Sequence, residues 1–245
     1  MRKNYAVIAA GGLGTRLKDY KHNESTKVLI EIGRLSMISS QVMQLKSWGF
    51  SDFIVITNPD FNDLIKNDLQ KNFVDENISY VIQPSPKGIA DALSYAEAGI
   101  DKNSLLTFIL GDNFFGENPL EKINLDNFSG AHLFVKEVEN PEEFGVMEID
   151  KAGNAIDIYE KPKEYISNLA VVGIYIYDTS CFQNIRKLTP SNRGELEITD
   201  LNNEVHDIIS ARCTMCHARE PLWDGFLHPP KGFVVENKED IKRYA

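Results

Sequence analysis

The apolar residues of this chain gather in short unbroken runs, and between the runs they recur at the three-to-four spacing of a helix face. Residues 5–10, Tyr-Ala-Val-Ile-Ala-Ala, show no polar alternation, as suits a strand covered on both faces. Residues 53–57 and 78–82 read as further strands and 105–110 as a buried one, while 38–48, 61–73 and 89–98 carry helical periodicity. The turn Asn58-Pro59-Asp60 opens the second of these helices. A strand–helix alternation of this kind builds a parallel sheet with helices on both faces, and ligands of such sheets bind beyond the carboxyl ends of the strands. Gly12, Gln83 and Asp112 each stand just past a predicted strand.

The second half is richer in strand. Runs at 131–138, 144–149, 155–159 and 171–177 are expected to be extended, with a turn at Lys151-Ala152-Gly153-Asn154. Helices are expected over 179–187 and 197–208, then a strand near Arg212 and a terminal helix after Asn237. There is no internal repeat, low-complexity tract or long linker. The pattern as a whole predicts an α/β chain with a Rossmann-like, mostly parallel central sheet and a small strand-rich lobe, divided near Gly130 into residues 1–129 and 130–245 of one compact domain.

Composition narrows the partners. With 26 Lys and Arg against 36 Asp and Glu, the 245-residue chain carries a net charge of −10, which disfavours nucleic acid and membrane surfaces because both are polyanionic. Any anionic ligand must be met by local cations. No signal-peptide pattern precedes residue 5 and no apolar stretch approaches the ~20 residues of a membrane span, so a cytoplasmic protein is expected. Three cysteines, Cys181, Cys213 and Cys216, do not make a disulfide framework. Cys213-Thr214-Met215-Cys216-His217 matches the haem-attachment string, yet covalent haem implies export. A zinc site there would need His206 and His217 to complete the ligand set, and neither cofactor is expected.

The candidate chemistry begins at Gly11-Gly12-Leu13-Gly14-Thr15-Arg16-Leu17. Glycines after a buried strand let a ligand approach main-chain N–H groups, and Arg16 adds a fork of donors suited to phosphate. The loop is neither a dinucleotide fingerprint, since Leu17 stands where glycine is required, nor a P-loop, since no Gly-Lys-Ser/Thr closes it. A plain glycine turn with a solvent-facing arginine is the alternative. Asp112 at the mouth of a buried strand is the best metal-ligand candidate, as a carboxylate there can hold a hard cation such as Mg²⁺, although Gly111-Asp112-Asn113 also suits a simple capped turn. Lys27 and Lys161 are candidate phosphate partners or, singly, ordinary surface lysines.

Ordered along the chain, the glycine loop is followed by Gln83-Pro84-Ser85-Pro86-Lys87-Gly88-Ile89-Ala90, Leu110-Gly111-Asp112-Asn113 and Glu142-Glu143-Phe144-Gly145-Val146. Glu160-Lys161-Pro162-Lys163 and Arg193-Gly194-Glu195-Leu196-Glu197-Ile198-Thr199-Asp200 complete the set. Over nearly its whole length the chain resembles the sugar-1-phosphate nucleotidyltransferases, and among them the glucose-1-phosphate thymidylyltransferases. The resemblance implies that Gly11, Gly12, Gly14, Thr15 and Arg16 hold a nucleoside triphosphate, with Arg16 and Lys27 neutralising it. It further implies that Gln83 and Gly88 read a pyrimidine edge and that Asp112 and Asp224 bind Mg²⁺. Gly145, Glu160, Lys161 and Val172 would line the sugar phosphate site, with Lys161 on the sugar's own phosphate. Residues 1–129 would then be the nucleotide half and 130–245 the acceptor half. The implied reaction is in-line attack of the sugar phosphate on the α-phosphorus with loss of pyrophosphate, assisted by Arg16, Lys27, Lys161 and the metal. Relatives are commonly dimers or tetramers, so a homo-oligomer is implied.

Three departures bear on this. Leu222-Trp223-Asp224-Gly225-Phe226-Leu227-His228 replaces the family's Trp-x-Asp-x-Gly-Thr setting, Ser25-Thr26-Lys27 replaces Pro-Lys, and the C-terminal helices of longer thymidylyltransferases are not expected here. Gln83 offers both a donor and an acceptor, which suits thymine or uracil and, with the amide flipped, cytosine. A cytidylyltransferase, a different phosphorylated acceptor and a non-catalytic nucleotide-binding paralogue therefore stand as alternatives to a dTTP- or UTP-dependent enzyme.

Overall fold

A computed structural model describes residues 2–12 and 26–205, apart from 122, 127 and 152. Its centre is an eight-stranded sheet. Strands β1 (Asn4–Ala9), β4 (Asp52–Thr57), β5 (Asn77–Ile82) and β6 (Leu105–Leu110) run parallel in the order β5-β4-β1-β6. The long β10 (Leu169–Asp178) lies antiparallel to β6 and to β7 (Ala131–Glu137). Tyr175 pairs with Phe108 on β6 and with Leu133 on β7, so these two strands occupy opposite edges of β10. Further along, Ala170 pairs with Val146 of β8 (Gly145–Ile149), which hairpins into β9 (Ala155–Glu160). The strand-rich lobe is therefore an extension of the same sheet beyond Gly130. A two-stranded hairpin, β2 (Glu31–Ile32) and β3 (Leu35–Ser36), stands apart.

Both faces are covered because alternate side chains of the central strands point into different cores. Tyr5 and Val7 join Ile54, Ile56, Leu106 and Phe108 against α3 (Ile89–Ser94), α4 (Cys181–Ile185) and α5 (Ile198–Glu204). Ala6 and Ile8 join Phe53, Val55 and Ile109 against α1 (Met37–Ser47) and α2 (Asn62–Asn72). This double burial is the physical reason those runs lack polar alternation. The Ser36 hydroxyl caps α1 by accepting from Ser39 N at 3.1 Å.

The predicted elements fall within a few residues of the observed ones. The helix expected over 89–98 ends at Ser94 and continues as a 3-10 turn at Glu97–Gly99. The β2–β3 hairpin and a 3-10 turn at Lys27–Leu29 were not anticipated, since two-residue strands carry no periodicity. The strand near Arg212, the terminal helix after Asn237 and the cysteine-rich string lie outside the described residues. Among the described residues no helix is long and apolar enough to cross a membrane.

Candidate active site

A cleft of about 1100 Å³ opens at the carboxyl ends of β1, β5 and β6 and runs to the β8–β9 hairpin. Ten expected site residues line it: Gly11, Gly12, Lys27, Gln83, Gly88, Asp112, Gly145, Glu160, Lys161 and Val172. Gly14, Thr15, Arg16 and Asp224 lie outside the described residues.

At one end the β1 loop is held by main-chain contacts. Asn58 Nδ2 donates to Gly11 O at 2.8 Å, and a β-carbon on Gly11 would lie 3.3 Å from the Thr57 carbonyl. The Lys27 side chain runs beside Gly12, and its ammonium pairs with the Asp112 carboxylate. Asp112 sits on a turn fastened on three sides. Gly111 N donates to Ala9 O at 2.9 Å, and the buried Gln41 Nε2 donates to the carbonyls of Leu110 and Asn113 at 2.9 and 3.1 Å. On β10, a β-carbon at Gly173 would overlap Asn113 Nδ2 and lie 2.8 Å from Leu110 Cγ. One rigid turn thus presents a single half-exposed carboxylate beside the β1 glycines. No group of three His, Cys, Asp or Glu is gathered among the described residues. That donor set fits Mg²⁺, which is commonly held by one or two carboxylates together with substrate phosphates.

The middle of the cleft is formed where β5 ends. Gln83 N donates to Thr57 O at 2.9 Å, extending the ladder by one residue and placing the buried side chain over the start of α3. Its Nε2 donates to Gly88 O at 3.1 Å and to Asp91 Oδ2 at 2.8 Å. Gly88 has φ 106° and ψ 168°, a region reserved for glycine. Its missing β-carbon leaves room for Leu196, whose N donates to Lys87 O at 2.8 Å and whose O accepts from Ala90 N at 3.2 Å. The segment before α5 is in this way laced to the Gln83–Gly88 loop.

At the far end, Gly145 and Glu160 face each other across the β8–β9 pair. Thr199 Oγ1 donates to Glu160 Oε2 at 2.7 Å, and a β-carbon on Gly145 would stand 3.0 Å from that hydroxyl. Arg193 approaches Glu160 at 3.4 Å but is committed to Glu197 at 2.8 Å. Lys161, just before Pro162, has φ 45°, a left-handed conformation costing about 1–3 kcal/mol in a non-glycine residue. Its N–H donates to Phe144 O at 2.9 Å, and its ammonium lies 3.9 Å from Glu160, a loose pairing that leaves donors for a ligand. Burial, then the Glu160 charge, pushes the Tyr175 phenol up, so this cleft residue remains a neutral hydroxyl.

Several cleft residues were not singled out from the sequence. Tyr175 and Lys136 lie inside strands whose runs gave no reason to choose them. Thr199 stands within a quoted motif without an assigned role, and Asp91 meets Gln83 only once β5 and α3 fold together. Phe114, Phe115, Gly116 and Glu117 also wall the cleft, with Phe114 exposed, and the sequence signal there is the Phe-Phe-Gly that follows Asn113.

A mixed sheet of mostly parallel strands flanked by helices, with glycines, an acidic turn and the Gln83–Gly88 loop opening onto one cleft, is the architecture of an α/β nucleotidyltransferase. Comparison with known proteins agrees. The family described as nucleotidyl transferase matches residues 5–220. The glucose-1-phosphate thymidylyltransferase of Neisseria meningitidis serogroup A is 38% identical over 200 residues, covering 80% of this chain and 69% of that protein. The low-salt glycan biosynthesis nucleotidyltransferase Agl11 of Haloferax volcanii is 33% identical over 199 residues, covering 79% of this chain and 55% of its own length. A Bacillus anthracis crystal structure in complex with a sucrose, provisionally described as a glucose-1-phosphate thymidylyltransferase, superposes with a TM-score of 0.73 at 36% identity, covering 82% of each chain. A UDP-glucose pyrophosphorylase complexed with UDP-glucose shares the fold, with a TM-score of 0.72 at 22% identity, covering 85% of this chain and 88% of its own. The chain belongs to the nucleotidyl transferase family.

Proposed function

We propose that this chain is a Mg²⁺-dependent sugar-1-phosphate nucleotidyltransferase that joins dTTP or UTP to a sugar 1-phosphate, with glucose 1-phosphate as the acceptor, and releases pyrophosphate. One observation carries the reading: the candidate triphosphate residues Gly11, Gly12 and Lys27, the base residues Gln83 and Gly88, and the acceptor residues Gly145, Glu160, Lys161 and Val172 all open onto one cleft around Asp112. The names of the relatives supply the acceptor and the nucleotide.

The chemistry follows from the charges. Two polyanions must be brought within bonding distance, so cations do most of the catalytic work and a general base is unnecessary, because the attacking phosphate oxygen is already ionised. That oxygen forms a bond to the α-phosphorus as the bond to the pyrophosphate oxygen breaks. Lys27 and Arg16 neutralise the triphosphate, and Lys161 holds the sugar's phosphate in line. Glu160, oriented by Thr199, accepts from a sugar hydroxyl. Asp112, with Asp224, would hold Mg²⁺, which when bound neutralises charge on the phosphates. Residues 1–129 serve the nucleotide and 130–245 the acceptor, and the enzyme works as a homo-oligomer.

Pyrophosphate release from a panel of nucleoside triphosphates paired with sugar 1-phosphates tests the proposal. Release with dTTP or UTP and glucose 1-phosphate is expected. Silence with every pair despite nucleotide binding would instead mark a non-catalytic nucleotide-binding paralogue.

A further inference from the structure

A glutamine amide can present either its oxygen or its nitrogen to a base, and here the fold has made that choice. Both described acceptors of Gln83 Nε2 are oxygens that cannot donate: the Asp91 carboxylate at 2.8 Å and the Gly88 carbonyl at 3.1 Å. Flipping the amide would set Oε1 against two oxygen acceptors, and with Gln83 only 8% exposed water cannot readily compensate. Both hydrogens of the NH₂ group are thereby engaged, while no described donor reaches Oε1. The Asp91 backbone is anchored in the first turn of α3, where Ser94 Oγ donates to Asp91 O at 2.6 Å.

We propose that Asp91 is a positioning residue for base selection: it holds the Gln83 amide so that Oε1 alone is offered to the nucleotide, which selects a base with a ring N–H at that point, thymine or uracil, against cytosine. The inference rests on the reading of Gln83 as the base contact. Cytosine offers an unprotonated N3 there, and two acceptors facing each other leave both buried and unpaired. Asp91 itself touches no nucleotide; it acts through Gln83.

The test is isothermal titration of the full chain with dTTP and with dCTP, which share sugar and phosphates, in the absence of any acceptor. Wild type should favour dTTP by roughly tenfold or more. Asp91→Ala should reduce that preference several-fold, because only Gly88 O then holds the amide. Asp91→Asn keeps a carbonyl acceptor and should retain it. An Asp91→Ala preference equal to wild type, or equal losses for both nucleotides, would overturn the inference, as would a wild type that binds dTTP and dCTP alike even if Asp91→Ala fails to fold. A wild type that binds neither nucleotide removes the nucleotide reading and this inference with it, whereas equal binding of both removes only the inference.

Discussion

Replacing Gly88 with alanine strains both the backbone of the Gln83–Gly88 loop and its packing against Leu196. At φ 106° a side chain costs about 1–3 kcal/mol from the backbone alone. The new β-carbon would also overlap the Leu196 carbonyl oxygen and lie 2.7 Å from Leu196 N and 2.9 Å from its carbonyl carbon, all of them backbone atoms that cannot swing aside. Moving Leu196 breaks the hydrogen bonds Leu196 N to Lys87 O and Ala90 N to Leu196 O, worth about 0.5–1.5 kcal/mol each. Gly88→Ala should therefore cost about 2–6 kcal/mol, a large part of the ~5–15 kcal/mol by which a domain is stable. Gly33→Ala is the matched control, since Gly33 has φ 72° with nothing within 4 Å of the added carbon, so only backbone strain should appear. Urea unfolding followed by circular dichroism gives both values, with an unchanged m-value expected for Gly33→Ala. Gly88 O also accepts from Gln83, so nucleotide affinity should fall for Gly88→Ala and hold for Gly33→Ala. A Gly88→Ala protein no less stable than Gly33→Ala, with unaltered nucleotide affinity, would refute the packing argument.

Asp112→Asn should lower kcat/KM by ~10²-fold or more and displace the Mg²⁺ titration of pyrophosphate release to higher concentration, and an unchanged Mg²⁺ dependence would exclude Asp112 as the metal carboxylate. Lys161→Ala should raise the KM for sugar phosphate far more than the Kd for dTTP, and full turnover at low sugar phosphate would remove its assigned role. Burial, followed by the Glu197 and Glu160 charges, raises the Asp200 carboxyl above its ordinary value. For an acid raised in the folded state, stability is fully present below the unfolded value of about 4 and is lost as pH climbs through the folded value. Asp200→Asn should accordingly out-stabilise wild type near pH ~7.5 with a gap that closes toward pH ~4. Urea midpoints at the two pH values check this, and a midpoint at or below wild type near neutral pH contradicts it.

The fold was legible wherever burial imposed a pattern. Residues 105–110 are predicted and observed as β6 because Leu105, Leu106, Phe108 and Ile109 are apolar and buried on both faces of the sheet, and α2 is bracketed to within a residue at each end by Asn58-Pro59-Asp60 and Phe73. The reversal of β10 was not legible, because an antiparallel neighbour in the middle of a sheet demands the same apolar residues as a parallel one. Cleft-lining residues at strand ends are legible from position, as with Gln83 and Asp112. Residues that act through a neighbour could not. Thr199 reaches Glu160 across 39 positions, and Gln41 clamps the Asp112 turn from a helix whose periodicity marks it only as an inward-facing polar residue. Gly145 is intelligible only beside Thr199, whose hydroxyl fills the space its side chain would take.

On the proposed reading, one cleft transfers a nucleotidyl group directly between two bound phosphates. Following the label from dTTP carrying ³²P at its α-phosphate, mixed with glucose 1-phosphate, Mg²⁺ and enzyme in a single turnover, tests it most directly. The label should pass into the nucleoside-diphosphate sugar at the rate of pyrophosphate release and never onto the protein. Label that stays in dTTP, appears as free dTMP, or accumulates covalently on the enzyme would contradict it.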